Sequence, residues 1–154
     1  MRWAMRIFGA ANIFVSLFGL YFFAWLIQIH LGKWRGNPTH QDWGVFFAIS
    51  AVSTLLVLCV AYLGVRLILG DLKAIWQIGC VFLMEIVFFY VDVCVTWLGM
   101  PDSKAVISVS FWGIAMTPVD SQVALGYAPA GLVVAIILFL IQRRRAKLNR
   151  VFAH

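Results

Sequence analysis

Glu85 and Asp92 stand seven residues apart in a mostly apolar run that extends from Leu72 to Leu98. In an α-helix that spacing changes the azimuth by only about 20° and the height by about 10 Å, so the two carboxylates share one face. Glu85 falls near the middle of the run. An ionised side chain at the centre of a membrane-crossing helix costs roughly 2.5–3.5 kcal/mol to insert, against a few tenths for each Leu or Phe that favours insertion. Glu85 is therefore expected to face the interior of a helix bundle and not lipid. No lysine or arginine occurs at its depth, so it is either kept protonated by desolvation or meets a hydrated cavity or a bound cation. Both alternatives are proton or cation chemistry. Asp92, about two turns nearer the end of the run, is easier to hydrate.

The preceding run, Trp43 to Leu69, is joined to this one by Gly70-Asp71, where Gly suits the residue after a helix and Asp the residue before the next. So short a turn makes the two helices antiparallel neighbours. Counting from it, Glu85 is level with Leu56 and Asp92 with Ile49. Ser53 and Thr54 lie between the two acids in height and Ser50 lies beside Asp92. Ser50, Thr54, Val57, Ala61 and Gly64 form a stripe of small or polar residues, which is expected to meet the carboxylate face. The first run adds Asn12, Ser16 and Gly19 on a similar stripe, and His30 at its end is close enough in height to reach Asp92. Glu85, Asp92, Ser50, Ser53, Thr54 and His30 are thus the candidate proton, cation or ligand site. The competing reading is that these groups only hold helices together, at about 0.6 kcal/mol per hydrogen bond.

The elements that must position these residues follow from composition. Of the 154 residues, 64% are hydrophobic and 12% charged, about half the charge of an ordinary soluble domain. Four runs reach the ~20 residues needed to cross a bilayer: about 7–30, 43–69, 72–98 and 122–141. The expected fold is all-α, a single four-helix transmembrane domain spanning 1–154. Arg2 and Arg6 before the first run mimic a signal peptide, but the run is too long and lacks a small-residue cleavage site, so an uncleaved helix is expected. Ala105 to Met116 is apolar but too short to cross, which predicts an interfacial or re-entrant segment in the last loop.

Nine of the 12 lysines and arginines then fall on one side: Arg2, Arg6, Arg66, Lys73, Arg143, Arg144, Arg145, Lys147 and Arg150. Only Lys33, Arg35 and Lys104 fall on the other. The positive-inside bias predicts both termini in the cytoplasm, in a multi-pass protein of the plasma (inner) membrane. Tryptophans agree, since Trp25, Trp34, Trp43, Trp97 and Trp112 gather toward one boundary and Trp3 and Trp76 toward the other. The tail Arg143, Arg144, Arg145, Lys147 and Arg150 is a stop-transfer signal that can also contact anionic lipid, at about 1 kcal/mol per charge.

Other chemistry finds no support in the sequence. Cys59, Cys80 and Cys94 lie in apolar runs without metal-ligand spacing and are expected to be buried free thiols. No metal or cofactor is expected. The net charge of +6 sits at the ends of apolar runs, unlike the patch that nucleic acid requires. Nucleotide loops and hydrolase or zinc signatures are missing, so an enzyme is not the expectation. The residues identify no family. The expected function is a proton- or cation-linked transporter or channel-like protein using its intramembrane carboxylates, with a homo-oligomer as one form it can take. The alternative is a non-catalytic subunit that packs against or assembles a larger membrane complex.

Overall fold

Long apolar stretches without interior proline fold as helices because in hydrocarbon each backbone N–H and C=O must be satisfied within its own segment. The computed structural model describes residues 2–36, 43–98, 118–124 and 126–151. They form α1 (Arg2–Gly36), α2 (Trp43–Ile68), α3 (Lys73–Leu98), α4 (Pro118–Ala124) and α5 (Tyr127–Val151). The described chain is all-helical, and α1, α2, α3 and α5 are each long and apolar enough to cross a membrane. Large apolar side chains such as Phe14, Leu55, Leu83 and Ile137 cover the outside of the bundle. A soluble monomer rarely carries so continuous an apolar surface.

The α2–α3 turn is built as its residues require. Gly70 takes φ 91, and the N–H groups of Gly70 and Asp71 return to the carbonyls of Leu67 and Arg66. This closes α2 with the two-bond cap that a left-handed glycine permits. Asp71 Oδ1 accepts the N–H of Lys73 at 2.9 Å and so caps α3. Arg66 spans the turn, pairing with Asp71 and donating to Gln77 Oε1 at 2.9 Å.

The helices pack in the order α1, α2, α3, α5. Gly9 of α1 meets Gly64 of α2 backbone to backbone, and Gly79 of α3 meets Ala135 of α5. These antiparallel pairings bring Arg2, Arg6, Arg66, Lys73 and Arg143 to one end of the bundle, here the basic end. Small residues at the crossings let the backbones approach.

Two expectations need correcting. The fourth spanning helix does not run from 122 to 141. The chain forms α4, breaks, and begins α5 at Tyr127, because Gly126 takes φ 72, outside the helical range. Gly126 closes α4 through its N–H to Val123 and opens α5 by accepting the N–H of Ala130. Pro129 then sits in the first turn of α5, where proline is tolerated. The basic tail is helical, continuing α5 to Val151. The second correction is that Cys59 is exposed on the bundle surface; a thiol tolerates lipid as readily as a core. The segment 105–116 lies outside the described residues.

Candidate functional site

The buried face of each helix contributes polar groups to one region. On α1 the buried positions include Asn12, Ser16 and Gly19; on α2 they include Ser50 and Ser53; α3 supplies Glu85 and α4 supplies Gln122. Glu85 is 0% exposed and stands at the middle of α3. One turn toward the basic end on the same face, the Phe82 ring packs against Gly131 and edge-on to Tyr127 at 5.9 Å between ring centres. Glu85 therefore lies beside the start of α5, at the break in the fourth crossing.

Some of these groups are paired. The Tyr127 hydroxyl donates to Asn12 Oδ1 at 2.6 Å, tying α5 to α1. The Val119 N–H donates to Ser53 Oγ at 3.0 Å, tying α4 to α2. Thr54 Oγ1 donates to the Ser50 carbonyl of its own helix at 2.8 Å, the back-bonding by which a mid-helix threonine satisfies itself.

Others have no partner among the described residues. Both carboxylate oxygens of Glu85, both amide atoms of Gln122, Asn12 Nδ2, Ser16 Oγ and Ser50 Oγ are buried and unbonded. Each such group costs about 1–3 kcal/mol if left alone, and a charged one more. These are seven atoms on five side chains, with Gln142 Oε1 an eighth nearer the basic end, and they are chemically suited to a guest that satisfies them: a proton on Glu85, a cation, or a small ligand with donors of its own. The set includes oxygen acceptors on α1, α2, α3 and α4, the hard-ligand chemistry that alkali cations and ammonium groups prefer.

No family model matches the chain, and neither a curated protein nor a solved structure shows similarity to it. The functional argument therefore rests on this geometry.

Of the candidates named from sequence, Glu85, Ser50 and Ser53 are brought into one interior, and Thr54 is half-buried beside them. The small-residue stripe of α2 does not lie wholly against α3, because its Gly64 end packs on Gly9 and Asn12 of α1. His30 is in α1 and Asp92 in α3; their side chains lie outside the described residues, as do those of Lys147 and Arg150. Arg143, Arg144 and Arg145 are exposed on α5. Two residues of this region were not among the candidates. Gln122 was placed at the end of a continuous helix, and Tyr127 was not read as polar. The pairing of Thr117-Pro118, which favours a helix start, with Gly126 and Pro129 inside one apolar run was the available signal for both.

Proposed function

We propose that this chain is a small multi-pass membrane protein that moves a proton or a cation, with Glu85 as the group that takes up and releases it. The observation that carries the reading is a mid-span glutamate, wholly buried, with both oxygens unpartnered. Among the described residues, no lysine or arginine is buried beside it. A carboxyl group so placed is neutral when protonated and costs several kcal/mol when bare and ionised, so its charge state is tied to what it binds. The helix break at Gly126 beside it supports the same reading, since transporters place ion and substrate sites where helices are interrupted. Four helices enclose too little space for a wide aqueous pore, which favours a narrow proton path or a site shared in a homo-oligomer. The termini are assigned to the cytoplasmic side of the plasma (inner) membrane by their arginines. Arg143 to Arg145, extended by Lys147 and Arg150, would rest on anionic lipid there.

The test is proton or monovalent-cation flux into proteoliposomes carrying a trapped fluorescent indicator. The wild type should carry flux and Glu85→Gln, which keeps the shape but does not titrate, should carry none while inserting and unfolding like the wild type. Should the wild type move neither protons, cations nor a cationic dye, and Glu85→Gln leave stability and assembly unchanged, the reading fails. The alternative of a subunit within a larger complex then takes its place.

A further inference from the structure

The crossing of α3 and α5 carries a second set of side chains that the Glu85 site does not use. Gly79 meets Ala135 where the two helices touch, and one turn nearer the basic end the rings of Trp76 and Phe139 lie 5.5 Å apart between centres, tilted by 42°. Phe139 packs on the apolar core, whereas Trp76 is exposed. One turn further toward the same end, α3 carries Lys73, three residues before Trp76, and α5 carries Arg143, four residues after Phe139. Residues three or four apart share a helix face, so the ring contact sets the two cations on one side of the crossing, one from each helix. Both are exposed. Neither has an ion-pair partner among the described residues, where Asp71, the only acid at this end, pairs with Arg66.

Gln142 stands beside Arg143 and is half-buried. It follows Ala135 by seven residues and so shares the face that Ala135 turns to α3. Its Oε1 is buried and without a hydrogen bond among the described residues, an unspent acceptor next to the two cations.

This order of groups along the bundle matches the order of groups in a phospholipid. Positive charge stands at the level of headgroups, which lysine and arginine reach over their apolar stems. Beneath it is an exposed indole, the side chain that borders bilayers because one end is apolar and the other wet. Beyond the ring pair, exposed Leu83 on α3 and Ile136 on α5 continue the apolar surface, against which acyl chains can lie. The charges narrow the choice of lipid. Choline and ethanolamine headgroups bring a cation of their own, which Lys73 and Arg143 repel. A phosphodiester only accepts hydrogen bonds, so it leaves Gln142 Oε1 unsatisfied, whereas a headgroup hydroxyl donates to it.

We propose that the basic end of the α3–α5 crossing is a binding site for one anionic phospholipid with a hydroxylated headgroup, of the phosphatidylglycerol type. Lys73 and Arg143 hold the phosphodiester, the latter through its planar fork. Gln142 Oε1 accepts from a headgroup hydroxyl, and Trp76 with Phe139 forms the shelf under the glycerol esters. Basic pockets between transmembrane helices recognise anionic headgroups by the same means. The site is distinct from a general attraction of the arginine tail to anionic lipid, because it uses Arg143 and not its neighbours and adds a lysine from another helix. It does not depend on what Glu85 binds, so lipid binding and flux can fail separately.

The full chain, delipidated in detergent, is titrated with phosphatidylglycerol, with phosphatidylethanol, which has the same phosphodiester charge but no hydroxyl, and with phosphatidylcholine, all of matched acyl chains. Native mass spectrometry counts the bound lipids and gives the affinity of the first. Wild type should bind phosphatidylglycerol first, phosphatidylethanol less tightly and phosphatidylcholine least. Lys73→Gln or Arg143→Gln should weaken the first phosphatidylglycerol ~5-fold, and the two together ~30-fold. Arg2→Gln with Arg144→Gln removes the same net charge, but Arg2 is on α1 and Arg144 is turned about 140° from Phe139; this pair should leave the first affinity unchanged. Gln142→Leu should remove the advantage of phosphatidylglycerol over phosphatidylethanol, a loss of about 2- to 10-fold, and keep the preference of both over phosphatidylcholine. Equal losses in the two double variants, or equal wild-type affinity for phosphatidylglycerol and phosphatidylcholine, overturns the site. An advantage of phosphatidylglycerol that survives Gln142→Leu overturns the hydroxylated headgroup. Soluble glycerol 3-phosphate that displaces phosphatidylglycerol at equal concentration overturns the assignment to a lipid.

Discussion

The contact between Gly9 and Gly64 sets how closely α1 and α2 approach, and Gly64→Ala tests it. A Cβ on Gly64 would lie 2.7 Å from the Gly9 carbonyl oxygen, with Ile13 Cγ1 at 3.1 Å and Asn12 Cβ at 3.3 Å. The oxygen belongs to helix backbone and has no rotamer to escape into. Close carbon–oxygen contacts between helices settle at about 3.3–3.6 Å, so the helices must part by roughly 0.6–0.9 Å. A gap of that size forfeits about a quarter to a half of each neighbouring dispersion contact, and overpacking of this kind costs about 1–3 kcal/mol. Removing a glycine from a helix returns up to about 1 kcal/mol, leaving a net loss of up to about 2 kcal/mol. Gly79→Ala provides the matched control, because its Cβ would meet Ala135 Cβ at 3.5 Å, an ordinary contact, and only the helix gain remains. The two variants should differ by about 2 kcal/mol, or ~30-fold in the unfolding equilibrium. Reversible denaturant titration in mixed micelles, followed by tryptophan fluorescence, measures the difference. Equal stability of Gly64→Ala and Gly79→Ala would refute backbone contact at this crossing.

Single cysteines at positions 37, 102 and 149, in a background without the native thiols, should be labelled in intact cells by an impermeant reagent at 37 and 102 only; labelling at 149 overturns the orientation. Tyr127→Phe removes the 2.6 Å hydrogen bond to Asn12 and should cost about 0.6–1.7 kcal/mol in the same micelle titration, with the loss vanishing when Asn12 is already alanine. Asp71 is held below its ordinary value of 3.8 by the Lys73 N–H and then by Arg66. A carboxyl depressed in the folded state stabilises it above that ordinary value, and the benefit is lost as pH falls through the folded value. Wild type should therefore exceed Asp71→Asn in stability at neutral pH, and the difference should close below about pH 4.

Much of this architecture was legible because run length and turn chemistry act locally. The apolar runs located α1, α2 and α3, and Gly70-Asp71 announced both the cap that ends α2 and the one that starts α3. The break before Tyr127 was hidden for a physical reason. Hydropathy sums transfer energies, and Gly126 interrupts the helix without interrupting the apolar character. Ser53 and Thr54 differ by one position and thus by about 100° of azimuth; only packing decides that Ser53 faces α4 while Thr54 bonds its own helix. In water a polar face would have marked the difference. In a bundle whose lipid-facing side is as apolar as its core, that contrast is absent.

The bundle itself supplies the standard against which Glu85 should be judged. Where its polar groups serve packing, they are paired: Tyr127 with Asn12, Val119 with Ser53, Thr54 with Ser50. Each of these bonds joins elements or satisfies a helix, and each involves a neutral group whose burial a single hydrogen bond offsets. Glu85 does none of this. It is the group in the core with the largest penalty for being ionised, and both its oxygens are unbonded. If it were retained only for packing, Gln or Met of similar volume would fill the space without that penalty. Buried atoms without a partner among the described residues also occur on Gln122, Ser16, Ser50 and Asn12, and on Gln142 nearer the basic end. On the proposed reading, a buried carboxyl group with both oxygens unbonded is what uptake and release of a proton or cation would require. Comparison of Tyr127→Phe with Glu85→Gln separates the two roles, since the first should lower stability more than flux and the second flux more than stability.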